Sequence, residues 1–365
     1  MNQIDRTLRS EEKVSLALRG LYDSYGYRQF RMGKFEEYDL YVRNKSFLVS
    51  DNVITFTDTD GRLMALKPDV TLSIVKNTKD APGVRKVYYN ENVYRPAGDS
   101  RNFREIMQAG LECIGQVNNY CLSEVLTLAA RSLEAISPEY ALDVSDLGML
   151  SRAVDALGAP AELRSEIIRR IGEKNLHDIA GICASLGLPA ANAAPLRALL
   201  GCPAEPEKAL PLLGSLFDDA EWKTLTDRFA AVLAPLAGKR VRVDFSVTND
   251  ISYYNGIVFQ GFVRGVPEAV LSGGQYDNLL RRMHRSSSAV GFAVYLDRIG
   301  FLAPPADEYD VDTLLLYTED ADPAALAAAV ARLAAEGSVC AARAIPEKFT
   351  FRRALTFTES GVREK

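Results

Sequence analysis

The sequence predicts an α+β fold: an antiparallel sheet flanked by helices, with a helical insertion and a small C-terminal βαβ-like tail. Three observations carry that prediction. Between residues 53 and 115, β-prone runs follow one another as neighbours without βαβ alternation, the pattern of an antiparallel sheet. Between Leu150 and Gly238 the composition shifts to Ala, Leu and Pro, and helical patterns break at Pro160, Pro189, Pro203, Pro206, Pro211 and Pro235. β character then resumes at Val241.

In chain order, Val14, Leu18, Leu21, Tyr22 and Tyr25 recur at helical spacing, with Ser10 as N-cap, Glu11 and Glu12 in the first turn and Gly26 as the stop. Residues 53–66 read as a hairpin around Asp58-Thr59-Asp60-Gly61, and Pro68 is placed to begin a short helix through Thr78. Two strands follow, Val84 to Arg95 and Arg104 to Gly115, then a helix from Glu124 to Ile136 and a strand from Tyr140 to Leu147. After the insertion come a strand from Val241 to Val247, a hairpin over 253–272 turning at Arg264 to Pro267, and a helix from Asp277 to Met283. A strand from Val290 to Val294 and a helix from Leu296 complete this part. The last residues give one strand (Thr313 to Tyr317), an Ala-rich helix (Pro323 to Glu336) and one more strand. The expected organisation is a main domain over 1–310, with the insertion over about 150–240, and a small tail over 311–365.

The chain has 365 residues, 47% hydrophobic and 25% charged, values that exclude a small disulfide scaffold, a disordered chain and a membrane bundle. Its net charge of −5 argues against non-specific binding of a phosphate backbone over a broad surface, while leaving a local basic groove open. Only two histidines occur, His177 and His284, far apart, so a His-based metal site or triad has little material. Five cysteines without a CxxC read as reduced thiols, and the N-terminus alternates charges where a signal peptide needs an apolar run; both point to the cytoplasm. The longest uncharged stretch, Ile179 to Leu196, is too rich in Ala, Gly, Pro and polar residues to span a bilayer. GxGxxG, GxxxxGK[ST] and HExxH are absent, so no cofactor or metal is expected.

Four segments place polar groups where a sheet normally buries apolar ones. Lys67-Pro68-Asp69-Val70-Thr71 puts a carboxylate and a hydroxyl at a strand-to-helix junction, suited either to a small ammonium or to capping the helix. On the strand from Arg104, Gln108, Gly110, Glu112 and Ile114 share one face. Gln108 and Glu112 then stand roughly 13 Å apart and would clasp opposite ends of a small amino acid; a solvated sheet face gives the same alternation. Tyr253-Tyr254-Asn255-Gly256 offers paired rings, as pocket lining or as packing, and a glycine that admits a close approach. Ser272-Gly273-Gly274-Gln275-Tyr276-Asp277 and Gly291 to Arg298 form glycine-rich turns that bind anions or permit tight packing.

Together and in order, these segments resemble histidyl-tRNA synthetase and its class II relatives. YYNENVYRPAGDSRNFREIMQAGLECIG is similar to class II motif 2 and AVGFAVYLDRI to motif 3. LKPDVT resembles the family's arginine-proline-glutamate-glycine-threonine segment, and ISYYNGIVF and SGGQYDNLL its two histidine-specific segments. The resemblance runs from about Val14 to Leu302. It implies the class II antiparallel fold, usually as a homodimer, and a histidine pocket. In that pocket Asp69 and Thr71 meet the ammonium, Gln108 and Glu112 the backbone end and the imidazole, and Tyr253 and Tyr254 line the walls. Arg95 and Arg298 hold the nucleotide-binding arginine positions of motifs 2 and 3. Around them the family pattern is lost: Pro96-Ala97 replaces the adenine-reading glutamate, Ala97-Gly98-Asp99-Ser100 replaces a basic loop, Tyr295 replaces a glycine, and Asn249 and Gln275 replace arginines. Losing one donor to developing charge typically costs about 3 to 4 kcal/mol, so several losses imply no amino-acid activation.

A kept histidine pocket beside a damaged nucleotide site resembles the histidyl-tRNA synthetase-like regulatory subunits of ATP phosphoribosyltransferase. The resemblance implies a chain with no activity of its own, joined as a homodimer to the short catalytic subunit in a hetero-oligomer, with L-histidine as effector in histidine biosynthesis. An active histidyl-tRNA synthetase is the alternative; Pro96, Asn249, Tyr295 and the short tail count against it. A further synthetase paralogue that binds histidine, RNA or a kinase is the other. Lys348, Arg352 and Arg353 read as a solvated basic cluster or an RNA contact.

Overall fold

The computed structural model describes residues 8–45, 48, 52–96, 102–174, 181, 183–185, 187–248, 253–302, 309–345, 347–358 and 361–364. They fall into two compact units, Ser10–Leu302 and a second formed by those within Met1–Arg9 and Ala303–Lys365, so the main unit begins later and ends earlier than the expected 1–310.

The larger unit is built on an eight-stranded sheet in the order β1-β5-β6-β11-β10-β9-β7-β8. Its strands are β1 (Arg28–Gln29), β5 (Val84–Pro96), β6 (Phe103–Gly115), β7 (Tyr140–Asp146), β8 (Val241–Val243), β9 (Ile257–Val263), β10 (Leu271–Gln275) and β11 (Ser288–Tyr295). Its interior pairings are antiparallel as expected, both between sequence neighbours and between the remote pairs β6–β11 and β7–β9. The two edges correct that expectation: β1 lies parallel to β5 and β8 parallel to β7, each edge strand coming from a segment remote from its partner. The sheet is mixed.

One face packs on helices. The helix Ser10–Ser24 buries Leu18 and Tyr22, stops at Gly26 (φ +80°), and shares a 3.0 Å hydrogen bond between the Tyr22 and Ser132 hydroxyls. Ser132 belongs to the helix Asn119–Ile136, which starts before the expected Glu124 because Asn118 accepts from the Cys121 N–H, a cap that contributes about 1 kcal/mol. Helices from Leu147 to Leu236 extend this layer around Trp222 and Phe229, both buried.

The opposite face carries a smaller layer: a three-stranded sheet of β2 (Phe35–Glu37), β3 (Thr55–Thr57) and β4 (Leu63–Leu66), and the helices Thr71–Lys76 and Asp277–Arg282. β3 and β4 form the expected hairpin, turning where Asp58 Oδ1 accepts from the Asp60 and Arg62 N–H groups and Gly61 takes φ +80°. Three expectations shift. The helix placed at Pro68 starts at Thr71, because Lys67 O accepts from Tyr94 N and keeps this stretch extended against β5. The strand from Val241 ends at Val243, where Asp244 accepts from the Ser246 N–H and hydroxyl and turns the chain. The helix expected from Leu296 is a pair of 3₁₀ turns, Leu296–Arg298 and Gly300–Leu302, the second opening on Gly300, a poor helix former.

In the smaller unit, β12 (Val311–Leu316), the helix Pro323–Ala334 and β13 (Val339–Ala342) make the expected parallel βαβ arrangement, capped by Asp322 on the Ala325 N–H. Two strands follow rather than none: β14 (Phe351–Thr358) parallel to β12, and β15 (Gly361–Glu364). In the basic cluster, Arg353 is tied to Glu336 and Thr313.

Candidate functional site

β6 sends Ala109, Leu111 and Cys113 into the helical core, and its alternate residues Gln108, Gly110 and Glu112 onto the other face. That face is enclosed rather than solvated: Gln108 is 3% exposed and Glu112 2%. A cleft of about 320 Å³ opens above it, with Asp69, Thr71, Gln108, Glu112, Tyr253 and Tyr254 in its wall, joined by Arg95 from β5. Segments nearly 190 positions apart in sequence thus converge on one cavity.

Glu112 lies at its centre. The Thr71 hydroxyl donates to Oε1 at 2.8 Å and the Tyr276 hydroxyl to Oε2 at 2.6 Å. Burial pushes its carboxyl up to about 8, partly opposed by those two hydrogen bonds, with the Asp69 charge adding to the rise. Two strand glycines make room. Opposite Glu112 in register is Gly291, where a Cβ would stand 1.7 Å from Glu112 Oε2, and at Gly110 a Cβ would meet the Tyr89 hydroxyl at 2.5 Å. Tyr89 crosses the cleft floor there.

Asp69 does two things that the sequence left as alternatives. Its Oδ1 accepts from the Leu72 N–H at 2.8 Å and caps the helix, while Oδ2 faces the Arg95 guanidinium at 4.0 Å in the cleft. Burial raises its carboxyl above the usual range, with Arg95 pulling the other way. Thr71 does not cap; its hydroxyl serves Glu112. The Tyr253 and Tyr254 rings meet edge to face at 4.7 Å, and Tyr254 lies against Gly274. Gln108 Nε2 is buried and has no hydrogen-bond partner among the described residues. A buried donor so placed favours a ligand acceptor, since leaving it unmet costs about 1 to 3 kcal/mol. Two carboxyls, one guanidinium and one open amide donor suit a small zwitterion with a second basic group.

The nucleotide positions are divided. Arg95 lines the cleft, and its Nε donates to Pro68 O at 2.7 Å. Arg298 is not brought to the cleft: it pairs with Glu268 at 3.0 Å, donates to Ala269 O, and stacks 4.4 Å from the centroid of Tyr295. Tyr295 itself is in the cleft wall. Gln275 donates to Asp277 at 2.8 Å, and the close approach at Gly256 is made by the Gln275 amide, not by backbone. Asn249 and the 97–100 loop lie outside the described residues. Among the described residues no cluster of three or more metal-ligating side chains occurs, and no helix is long and apolar enough to cross a membrane.

Sequence reasoning missed Tyr89 and Gln260 in the cleft, and it singled out the segment of Ser272 and Tyr276 without naming either as lining. A usable signal was present: glycines inside strands, at Gly110, Gly274 and Gly291, mark where another group must come close.

A family model described as histidyl-tRNA synthetase matches residues 4–299. A protein of Alkaliphilus metalliredigens named ATP phosphoribosyltransferase regulatory subunit is 25% identical over 287 residues, covering 75% of this chain and 72% of that one. Among solved structures, an ATP phosphoribosyltransferase regulatory subunit/histidyl-tRNA synthetase from Bacillus halodurans superposes with TM-score 0.77 at 21% identity, covering 95% of this chain and 93% of its own. A chain of the ATP phosphoribosyl transferase (HisG:HisZ) complex from Thermotoga maritima superposes with TM-score 0.61 at 17% identity, over 78% and 97%. These two structures share the class II α+β fold with this chain.

Proposed function

Because the chain belongs to the histidyl-tRNA synthetase family, we propose that it works as a regulatory subunit of ATP phosphoribosyltransferase that senses L-histidine and has no catalytic activity of its own. The observation that carries this is the contrast between the two sets of positions. The amino-acid residues enclose a cleft built around Glu112, whereas of the two nucleotide-position arginines only Arg95 reaches that cleft, and Arg298 is spent outside it on Glu268, Ala269 and the Tyr295 ring. The name of the Alkaliphilus relative supports the regulatory reading.

In this reading Asp69 receives the α-ammonium and Gln108 Nε2 donates to the carboxylate. Glu112 accepts from the imidazole N–H as a charge-assisted bond, Thr71 and Tyr276 orient Glu112, and Tyr253 and Tyr254 wall the ring. Arg95 and Arg298 remain from a nucleotide site. The partner is the short catalytic subunit in the first step of histidine biosynthesis, with this chain pairing with a second copy inside the assembly, in the cytoplasm. Feedback requires histidine to bind the two states of the assembly unequally, since equal affinity shifts nothing.

Co-expression with a short catalytic ATP phosphoribosyltransferase chain tests this. The two should co-elute, and the activity should fall on adding histidine; chains that never associate, with activity unchanged, would overturn the reading. The purified chain alone should give no ATP–pyrophosphate exchange with histidine, and robust exchange would make it an active synthetase.

A further inference from the structure

Lys67 is 1% exposed, and its Nζ meets Glu91 Oε2 at 2.5 Å. A buried ion pair seldom adds net stability, because removing both charges from water offsets their attraction. Its two neighbours give this pair another role. Lys67 stands two residues before Asp69, and its segment is held extended by three further bonds: Tyr94 N to Lys67 O at 3.0 Å, Lys67 N to Lys34 O at 3.1 Å, and Arg95 Nε to Pro68 O at 2.7 Å. Glu91 stands directly opposite Gln108 in the β5–β6 register, on the same face of the sheet. Cβ atoms of such pairs are about 5 Å apart, so a Glu91 carboxylate released from Lys67 would be a charged acceptor within reach of Gln108 Nε2.

We propose that Lys67 is a positioning residue for the amino-acid cleft. Its ion pair with Glu91 pins the segment that aims Asp69, and it keeps Glu91 from capturing the Gln108 amide that the ligand carboxylate needs. The inference rests on the histidine-binding reading above and deepens it: one buried lysine sets both ends that recognise the amino-acid backbone, leaving the ring pocket at Glu112 to act separately.

The test compares L-histidine with 4-methylimidazole, which has the ring but neither the ammonium nor the carboxylate, on the full chain by calorimetry or ligand-observed NMR. In Lys67→Met/Glu91→Leu, which removes both charges together, histidine should bind at least about ten-fold more weakly, the scale of one hydrogen bond to a charged group. The 4-methylimidazole affinity should change less than about two-fold on the same scale. Lys67→Met alone, which frees Glu91, should lose more histidine affinity than the double variant, and Lys67→Arg should restore it. Should the double variant fail to fold, Lys67→Gln is read with the same two ligands. Equal losses for both ligands, or histidine binding kept within two-fold, would overturn the positioning role. If the unaltered chain binds neither ligand, the histidine reading itself fails, and this inference with it.

Discussion

The Tyr276 hydroxyl donates to Glu112 Oε2 across 2.6 Å, reaching over 164 positions of chain. With Thr71 on the other oxygen, the carboxyl is held in one orientation before any ligand arrives. Tyr276→Phe should leave Glu112 harder to ionise, since this bond favours the charged form. The histidine dissociation constant should rise about ten-fold, and calorimetry showing no rise would remove the hydroxyl from recognition.

Glu112→Ala should cost about 1.5 to 3 kcal/mol of histidine binding, roughly ten- to a hundred-fold, while the chain stays folded. Circular dichroism checks the fold and calorimetry the affinity. Unchanged affinity would mean that histidine sits elsewhere in the assembly.

Glu112 also makes stability depend on pH. Its folded-state carboxyl titrates near 8, above the usual carboxylate range, so between roughly 4.5 and 8 the folded chain binds a proton that the unfolded chain has released. This stabilisation is complete at low pH and is lost as pH rises towards 8, at about 1.4 kcal/mol per pH unit. Urea denaturation at a series of pH values should show that slope reduced in Glu112→Gln; an equal slope in both proteins would place the proton on another group.

Affinity for histidine should be bell-shaped in pH. Above about 8 the empty site has lost the Glu112 proton, so forming an imidazolium–carboxylate pair requires proton uptake and binding weakens. Below about 6.5 free histidine already carries an imidazolium, so binding must expel the Glu112 proton and again weakens. Calorimetry in buffers of different ionisation enthalpy measures both limbs, and a flat profile from pH 5.5 to 9 would refute the pairing.

Gly291→Ala should abolish tight histidine binding and lower the melting temperature. The added Cβ would stand 1.7 Å from Glu112 Oε2 and 2.5 Å from Leu111 O, so carboxyl and backbone must both move. Thermal melts with and without histidine test this: a variant still stabilised by the ligand as the unaltered chain is would show that the strand tolerates the group.

The strands of the β5–β6 hairpin were readable because their alternation has period two and their turn ends are polar. That same alternation placed Gln108 and Glu112 on one face, though it could not say whether water or protein lay above them. What closes the face comes from afar: Tyr276 and Gly291 reach it only through sheet order, which local patterning does not encode. Arg298 illustrates the converse. Its motif position is plain in the sequence, but whether its guanidinium faces a ligand or Glu268 depends on the neighbouring side chains. The parallel edges and the shortened strand at Val243 were hidden for like reasons, a remote partner in one case and the Asp244 turn in the other.

Every residue assigned to the cleft falls inside the unit Ser10–Leu302. The cleft is therefore encoded in one contiguous stretch of gene. A gene fragment covering Ser10–Leu302 alone carries every side chain of that cleft.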